Sequence, residues 1–171
     1  PLVYISILPI KEHIFLICVI ISIGFLSADL LRMFSKTAES YFLKIFSVLL
    51  REEEINHHLT GATYLFIGLT LSVVLFPKEI TIPVMMFLTI ADPLAAIIGK
   101  ILPIKKVLDK SIGGFLTFLF CAIIIILIFM ELTIISILIA LTVAIVEMLP
   151  LKINDNLTIP VISGYLFLFL R

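Results

Sequence analysis

Charged residues are scarce in this sequence, and neither sign is in excess. They make up 14% of the 171 residues, with 12 Lys and Arg against 12 Asp and Glu. Soluble domains have about 25% charged residues, and one core of this size could not bury so much apolar surface. The lack of a basic excess argues against nucleic-acid binding. The composition therefore excludes an ordinary soluble enzyme, a disordered chain and a nucleic-acid-binding protein.

Cysteine is also rare, and the sequence has no recognisable cleavable signal. Cys18 and Cys121 both lie inside apolar runs, which predicts separate buried thiols and not a disulfide or a metal pair. The sequence begins within the apolar stretch Pro1–Ile10, which we expect to be the end of a helix whose start is missing. No basic start precedes a short apolar run with a small-residue cleavage site.

Apolar residues, in contrast, are abundant and occur in long continuous runs. The sequence is 62% hydrophobic, with a mean hydropathy of +1.31. A spanning helix needs about 20 apolar residues, and continuous runs favour helices over barrel strands. We predict an all-α polytopic membrane helix bundle that forms one domain over residues 1–171. The six predicted spans are His13–Leu31, Thr60–Phe76, Ile80–Gly99, Ile112–Met130, Leu132–Pro150 and Leu157–Leu170.

The basic residues collect in alternate connections between these spans. Arg32–Leu59, Lys100–Ser111 and the connection that contains Lys152 hold most of them. The opposite side holds Lys11, Lys78 and Arg171. The positive-inside rule places the more basic side in the cytoplasm.

The first of these loops contains an amphipathic pattern. Apolar residues recur at helical spacing over Tyr41–Leu50, with charged residues beside or opposite them. This pattern predicts a helix that lies at the cytoplasmic interface. The alternative is a solvated linker.

Asp92 is the most informative polar residue, because it lies inside the third span. A carboxylate at the centre of a span costs about 2.5–3.5 kcal/mol, and such residues usually mark a site. Pro93 removes a helix hydrogen bond and frees the carbonyl of Thr89. The alternative is a protonated Asp92 that is hydrogen-bonded between helices. Small residues that permit close helix packing lie on the same segment: Ala91, Ala95 and Gly99.

The fourth span opens with Lys110-Ser111-Ile112-Gly113-Gly114. Ser111 is a suitable N-cap, and a helix start with exposed amides and a nearby lysine can bind an anion. The alternative is an ordinary cap with glycines that serve helix packing.

Two acids flank the connection between the fifth and sixth spans. Glu147 lies before Pro150, and Asp155 and Asn156 follow it, with either one a candidate cap for the next helix. Pro160 frees the carbonyl of Asn156. The two carboxylates can converge on one metal ion, or they can belong to a capping cluster with a snorkelled glutamate.

The last group of candidates lies at the ends of the first two spans. Asp29 and Arg32 are three residues apart on one helix, which permits a local ion pair or a phosphate-binding role for Arg32. Glu54 precedes the second span, which opens with Thr60-Gly61. Adjacent histidines at His57-His58 point to different helix faces and make a poor metal pair.

These pieces, in this order, resemble the CTP-dependent lipid kinase family, which includes dolichol kinase, phytol kinase and the yeast-type diacylglycerol kinase and is related to the phosphatidate cytidylyltransferases. An Arg-Lys…His segment that many members carry on an earlier helix has no counterpart here. The matching stretches are Asp29-Leu-Leu-Arg32, Arg51-Glu-Glu-Glu-Ile-Asn56, Thr60-Gly-Ala-Thr-Tyr64, Ala91-Asp-Pro-Leu-Ala-Ala-Ile-Ile-Gly-Lys100, Lys110-Ser-Ile-Gly-Gly114, Glu147 and Asp155-Asn-Leu-Thr-Ile-Pro160.

The resemblance implies transfer of the γ-phosphoryl of CTP to a lipid hydroxyl. Mg²⁺ would be held by Asp92, Glu147 and Asp155, the candidate catalytic residues, and one of these acids could instead accept the hydroxyl proton. Candidate nucleotide and phosphate ligands are Lys100, Lys110, Ser111, Gly113, Gly114, Arg32 and Asn156. Further candidates are Asp29, Glu54, Thr60 and Gly61.

The expected partners are therefore CTP and a lipid alcohol in the membrane, with no nucleic acid. The active face would be cytoplasmic, in the plasma membrane of a prokaryote or the endoplasmic reticulum of a eukaryote. The sequence leaves open whether the protein acts alone or as a homodimer. Two other functions also stay open: a CTP:phosphatidate cytidylyltransferase, and a small non-enzymatic transporter or membrane subunit.

Overall fold

A computed structural model describes residues 11–46, 50, 58–102, 105–107, 110–150 and 153–170. Most of these residues are helical, and the described strands form one two-stranded antiparallel hairpin. In chain order the elements are α1 (Lys11–Phe34), α2 (Lys36–Phe46), α3 (Gly61–Leu75), α4 (Lys78–Ile101), β1 (Lys106–Val107), β2 (Lys110–Ser111), α5 (Ile112–Phe129), α6 (Ile134–Met148) and α7 (Asp155–Leu170).

Each predicted apolar segment is a helix, with ends that differ from the prediction by a few residues. In the described part of the chain, α1, α4 and α5 are long and apolar enough to cross a membrane. They contain 24, 24 and 18 residues. The other three apolar helices, α3, α6 and α7, are shorter, at 15, 15 and 16 residues. The prediction of an all-α chain is thus confirmed, and three of its described helices have the length and composition that crossing a membrane requires.

The interior of α4 is irregular where the sequence has Pro93. Five residues, Phe87–Ala91, form a π turn, and the backbone N–H of Asp92 donates to the carbonyl of Phe87. Pro93 has no N–H to donate to the carbonyl of Thr89, and its ring crowds the preceding turn. Single π turns inside α-helices are frequent at functional sites. The helix then resumes as Asp92–Ile101.

Glycine and proline set how closely the helices approach one another. A Cβ at Gly68 of α3 would clash with the carbonyl oxygen of Asn156 and crowd the ring of Pro160 on α7. A Cβ at Gly164 would clash with the ring of Phe76. The main core lies among α4, α5, α6 and α7, and a smaller cluster joins α1, α3 and α4.

The amphipathic helix predicted at Tyr41–Leu50 is confirmed as a helix, although it spans Lys36–Phe46. Tyr41 and Ile45 are largely exposed on it, at 67% and 69%. Other sequence predictions fall on Pro1–Ile10, on residues 51–57, which include Glu54 and His57, and on Lys152 and Arg171, all of which lie outside the described residues.

Candidate functional site

One cavity, of about 560 Å³, brings together the polar ends of four helices and the hairpin. It contains three carboxylates and three lysines. Its lining residues are Asp92, Ala95, Ala96, Gly99, Lys100, Lys106, Lys110, Ser111, Gly114, Phe115, Glu147 and Asp155. The cavity therefore combines acidic and basic groups that are far apart in the sequence.

One face of α4 forms a wall of this cavity. Asp92, Ala95, Ala96, Gly99 and Lys100 all line it. Their spacing of three, four, seven and eight residues from Asp92 places them on one side of an α-helix. Asp92 is half-buried, and Lys100 is exposed at the end of the helix. The small residues between them leave the space that the cavity occupies.

The start of α5 packs tightly against that wall. The Ser111 side chain accepts a hydrogen bond from the backbone N–H of Gly114 at 3.0 Å, so the predicted N-cap is confirmed. A Cβ at Gly99 would come within 2.7 Å of Ser111 Oγ and 3.3 Å of Gly114 Cα. Gly113 is buried and does not line the cavity, because it packs against the carbonyl of Leu102.

Lys110 joins the two acids of the last loop. Its Nζ lies 2.6 Å from Glu147 Oε1 and 3.4 Å from Asp155 Oδ2. The side chain of Glu147 is only 7% exposed, whereas that of Lys110 is 36% exposed. A buried carboxylate needs a partner, since removal from water strongly disfavours an unpaired charge. Lys110 supplies that partner and still reaches the cavity.

The first turn of α7 holds Asp155 in place. Asn154 is the cap, because its Oδ1 accepts from the N–H of Asn156 at 3.0 Å and its carbonyl accepts from Leu157. The sequence prediction of Asp155 or Asn156 as the cap was therefore wrong by one residue, since Asp155 is already helical. The Asn156 side chain turns away to donate to the carbonyl of Gly61 at 2.9 Å, which ties α7 to α3.

Asp29 and Arg32 form a separate buried network. Arg32 Nε donates to Asp29 Oδ1 at 2.9 Å. Asp29 Oδ2 accepts from the backbone N–H of Thr60 at 2.7 Å and from the hydroxyl of Thr63 at 2.6 Å. These bonds fix the end of α1 to the start of α3.

Arg32 is also engaged on its other side. Its Nη2 donates to the carbonyl of His58, and the guanidinium lies over the ring of Phe42 on α2, 5.2 Å from the centroid. Arg32 is 3% exposed and does not line the cavity. Of the two roles left open by the sequence, the local ion pair is the one that forms.

The carboxylates suit Mg²⁺ only in part. Glu147 and Asp155 both contact the same cation, the ammonium of Lys110. Mg²⁺ in proteins is commonly bound by one or two carboxylates together with waters and substrate phosphates. In the ranges that the structure describes, no three His, Cys, Asp or Glu side chains form a metal-ligand group. Glu147 and Asp155 therefore fit a metal ion that is also coordinated by substrate phosphates. Together with Asp92 they do not form a three-carboxylate metal site.

The structure thus brings together part of the predicted site and adds one residue. Asp92, Glu147, Asp155, Lys100, Lys110, Ser111 and Gly114 line the cavity, whereas Arg32, Asn156, Gly113, Asp29, Thr60 and Gly61 do not. Lys106 lines it as well and was not among the sequence candidates. The only signal for Lys106 was its place in a basic loop between two motifs, which does not distinguish it from Lys105.

A protein of Rickettsia prowazekii (strain Madrid E), named Uncharacterized protein RP860, is similar to this chain. The two are 32% identical over 142 residues, which cover 77% of this chain and 70% of the relative. The chain belongs to the family of this protein. No family model matches the sequence, and no solved structure matches it. The relative's name states no activity.

Proposed function

We propose that this protein is an integral-membrane lipid kinase that transfers the γ-phosphoryl group of CTP to a lipid hydroxyl. The observation that carries this proposal is the single cavity lined by Asp92, Glu147, Asp155 and three lysines. Phosphoryl transfer needs charge stabilisation and positioning more than covalent chemistry, and these groups can supply both. All of them except Lys106 come from the stretches that resemble the CTP-dependent lipid kinase family.

The proposal includes six transmembrane helices, with the cavity at the cytoplasmic side. Three helices have the length for it, and the shorter ones can be accommodated by local thinning of the bilayer. The large apolar side chains exposed on α1, α5 and α6 support contact with lipid. The basic residues around the cavity support a cytoplasmic location.

In the proposed reaction the lipid hydroxyl oxygen attacks the γ-phosphorus of CTP. The bond between that phosphorus and the β,γ-bridging oxygen breaks, and CDP leaves. Asp92 accepts the hydroxyl proton in this proposal, because it is a half-buried carboxylate that lines the same cavity. Glu147 and Asp155 would hold Mg²⁺, which would supply positive charge beside the phosphates. The lysines stabilise the phosphate oxygens.

The acceptor lipid reaches the cavity from the inner leaflet in this proposal. Helix α2 has no buried residue, and its apolar side chains Tyr41 and Ile45 face outward. An amphipathic helix of this kind lies in the membrane interface, where the hydroxyl of a polyprenol, a phytol-like alcohol or diacylglycerol is found. Phe42 of α2 contacts Arg32, which links this helix to the buried network.

Labelled nucleotides test the proposal directly. Purified protein would be incubated with Mg²⁺ and either γ-labelled or α-labelled CTP, with a panel of lipid alcohols and phosphatidate as acceptors. We expect the γ-label on a lipid alcohol. The α-label on phosphatidate would identify a cytidylyltransferase instead. No labelled lipid, and no Mg²⁺-dependent change in thermal stability with CTP, would indicate a transporter or a non-catalytic subunit.

A further inference from the structure

Lys106 is the cavity residue for which no sequence motif gives a role. It lies on β1, where its Cα pairs with that of Ser111 across the hairpin. Its side chain is exposed and lines the cavity beside the start of α5. The neighbouring Lys105 is exposed too, but it does not line the cavity. Two adjacent lysines on the same hairpin thus differ in their relation to the cavity.

The three cavity lysines also differ in how they are engaged. Lys110 is bound by Glu147 and Asp155, so its charge is already compensated. Lys100 and Lys106 make no hydrogen bond or ion pair with any other residue that the structure describes. An exposed ammonium without a fixed partner can take an anion at little cost, because no existing pair has to be broken.

The cavity has the size and charge balance for a polyphosphate. Its volume of about 560 Å³ is in the range of small-molecule sites. Of its three lysines, Lys110 pairs with Glu147 and Asp155, so a bound polyphosphate would contact the other two. Lysine is a common phosphate ligand in proteins. Lys100 and Lys106 are the cavity cations available for it.

We propose that Lys106, together with Lys100, binds the terminal phosphates of the nucleotide. This inference rests on the proposed function, because it assigns the polyphosphate of the substrate to a part of the same cavity. Lys106 approaches from the hairpin and Lys100 from the end of α4.

Binding of inorganic tripolyphosphate and of CTP to the purified protein tests this role without any reaction. K106A should weaken the binding of both probes about tenfold, which is the size of one charge-assisted hydrogen bond. K105A is the matched control and should change both affinities less than twofold. The affinity of K106A should also depend less steeply on salt. K106R should restore most of the binding, and K106Q replaces K106A if that variant unfolds at a lower temperature.

Three results would overturn the inference. The first is equal weakening in K105A and K106A, which would mean that only the general charge of the surface matters. The second is full affinity in K106A and K106Q. The third is no binding of tripolyphosphate by the unaltered protein. Failure of the proposed function looks different: tripolyphosphate would still bind in a Lys106-dependent manner, but label from CTP would never reach a lipid.

Discussion

The ammonium of Lys110 lies 2.6 Å from a carboxylate oxygen of Glu147, a side chain that is almost fully buried at the end of α6. The acids and bases of the cavity are therefore coupled before any ligand binds. This coupling decides how substitutions in the cavity will behave.

Replacement of Lys110 by methionine should destabilise the fold. K110M leaves Glu147 buried without its partner, so we expect the free energy of unfolding to fall by about 1–3 kcal/mol. E147Q alone should also destabilise. The double variant K110M/E147Q should recover part of the loss, because neither partner is then left charged and unpaired. Denaturant titration in mixed micelles measures all three, with K105M as the control. Strictly additive losses would mean that the pair is not coupled.

Asp92 carries the proposed acid–base step, so its charge should matter for turnover and little for folding. D92N should lower CTP-dependent lipid phosphorylation by about 10²-fold or more, as expected for loss of a general base. E79Q is the control, since Glu79 is an exposed acid at the other end of α4. Initial rates with γ-labelled CTP and thermal unfolding temperatures check both variants. Full activity in D92N would remove Asp92 from the mechanism.

The buried network around Asp29 should be structural and not catalytic. D29N replaces a carboxylate that accepts bonds from Arg32, Thr60 and Thr63, and it leaves the Arg32 charge buried. We expect a loss of about 3–5 kcal/mol in stability. T63V, which removes a hydroxyl that bonds Asp29 and Thr60 but leaves the Asp29–Arg32 pair, should lose less, about 1–2 kcal/mol. Unfolding of the two variants in detergent gives the comparison. If D29N folds normally but binds the nucleotide more weakly, this would contradict a purely structural role and would support phosphate binding by Arg32.

Substitution by alanine should have opposite effects at Gly99, in the contact between α4 and α5, and at Gly24 on α1. G99A places a Cβ 2.7 Å from Ser111 Oγ, which should displace the cap of α5. We expect a loss of about 1–3 kcal/mol, accompanied by weaker CTP binding. G24A meets nothing within 4 Å, and alanine is the better helix former, so it should gain about 0.5–1 kcal/mol. Equal effects of the two substitutions on unfolding would contradict the proposed close packing.

Much of the architecture could be predicted from the sequence, because it depends on local signals. The continuous apolar runs locate the helices, and Ser111 caps α5 as its position before Gly113-Gly114 predicts. Asp92 stands out since a carboxylate within an apolar run is rare. None of these inferences requires knowledge of which helix packs against which.

The parts that could not be predicted depend on contacts between distant residues. Arg32 gave equal support to two roles, because its partners on α2 and α3 are set by helix packing. Lys106 could not be told from Lys105, since the hairpin register decides which of them reaches the cavity. The exact ends of α3, α6 and α7 could not be predicted either, because an apolar run does not show at which residue a helix begins or ends.

The π turn at Phe87–Ala91 has a consequence for the angular phase of α4. An i→i+5 turn encloses one residue more than an α turn, and each residue advances a helix by about 100°. If the same residues formed a regular α-helix without this π turn, Asp92 would be rotated by roughly that angle relative to the N-terminal half of α4. The direction in which this carboxylate points is therefore governed by a single surplus residue buried in the middle of the helix.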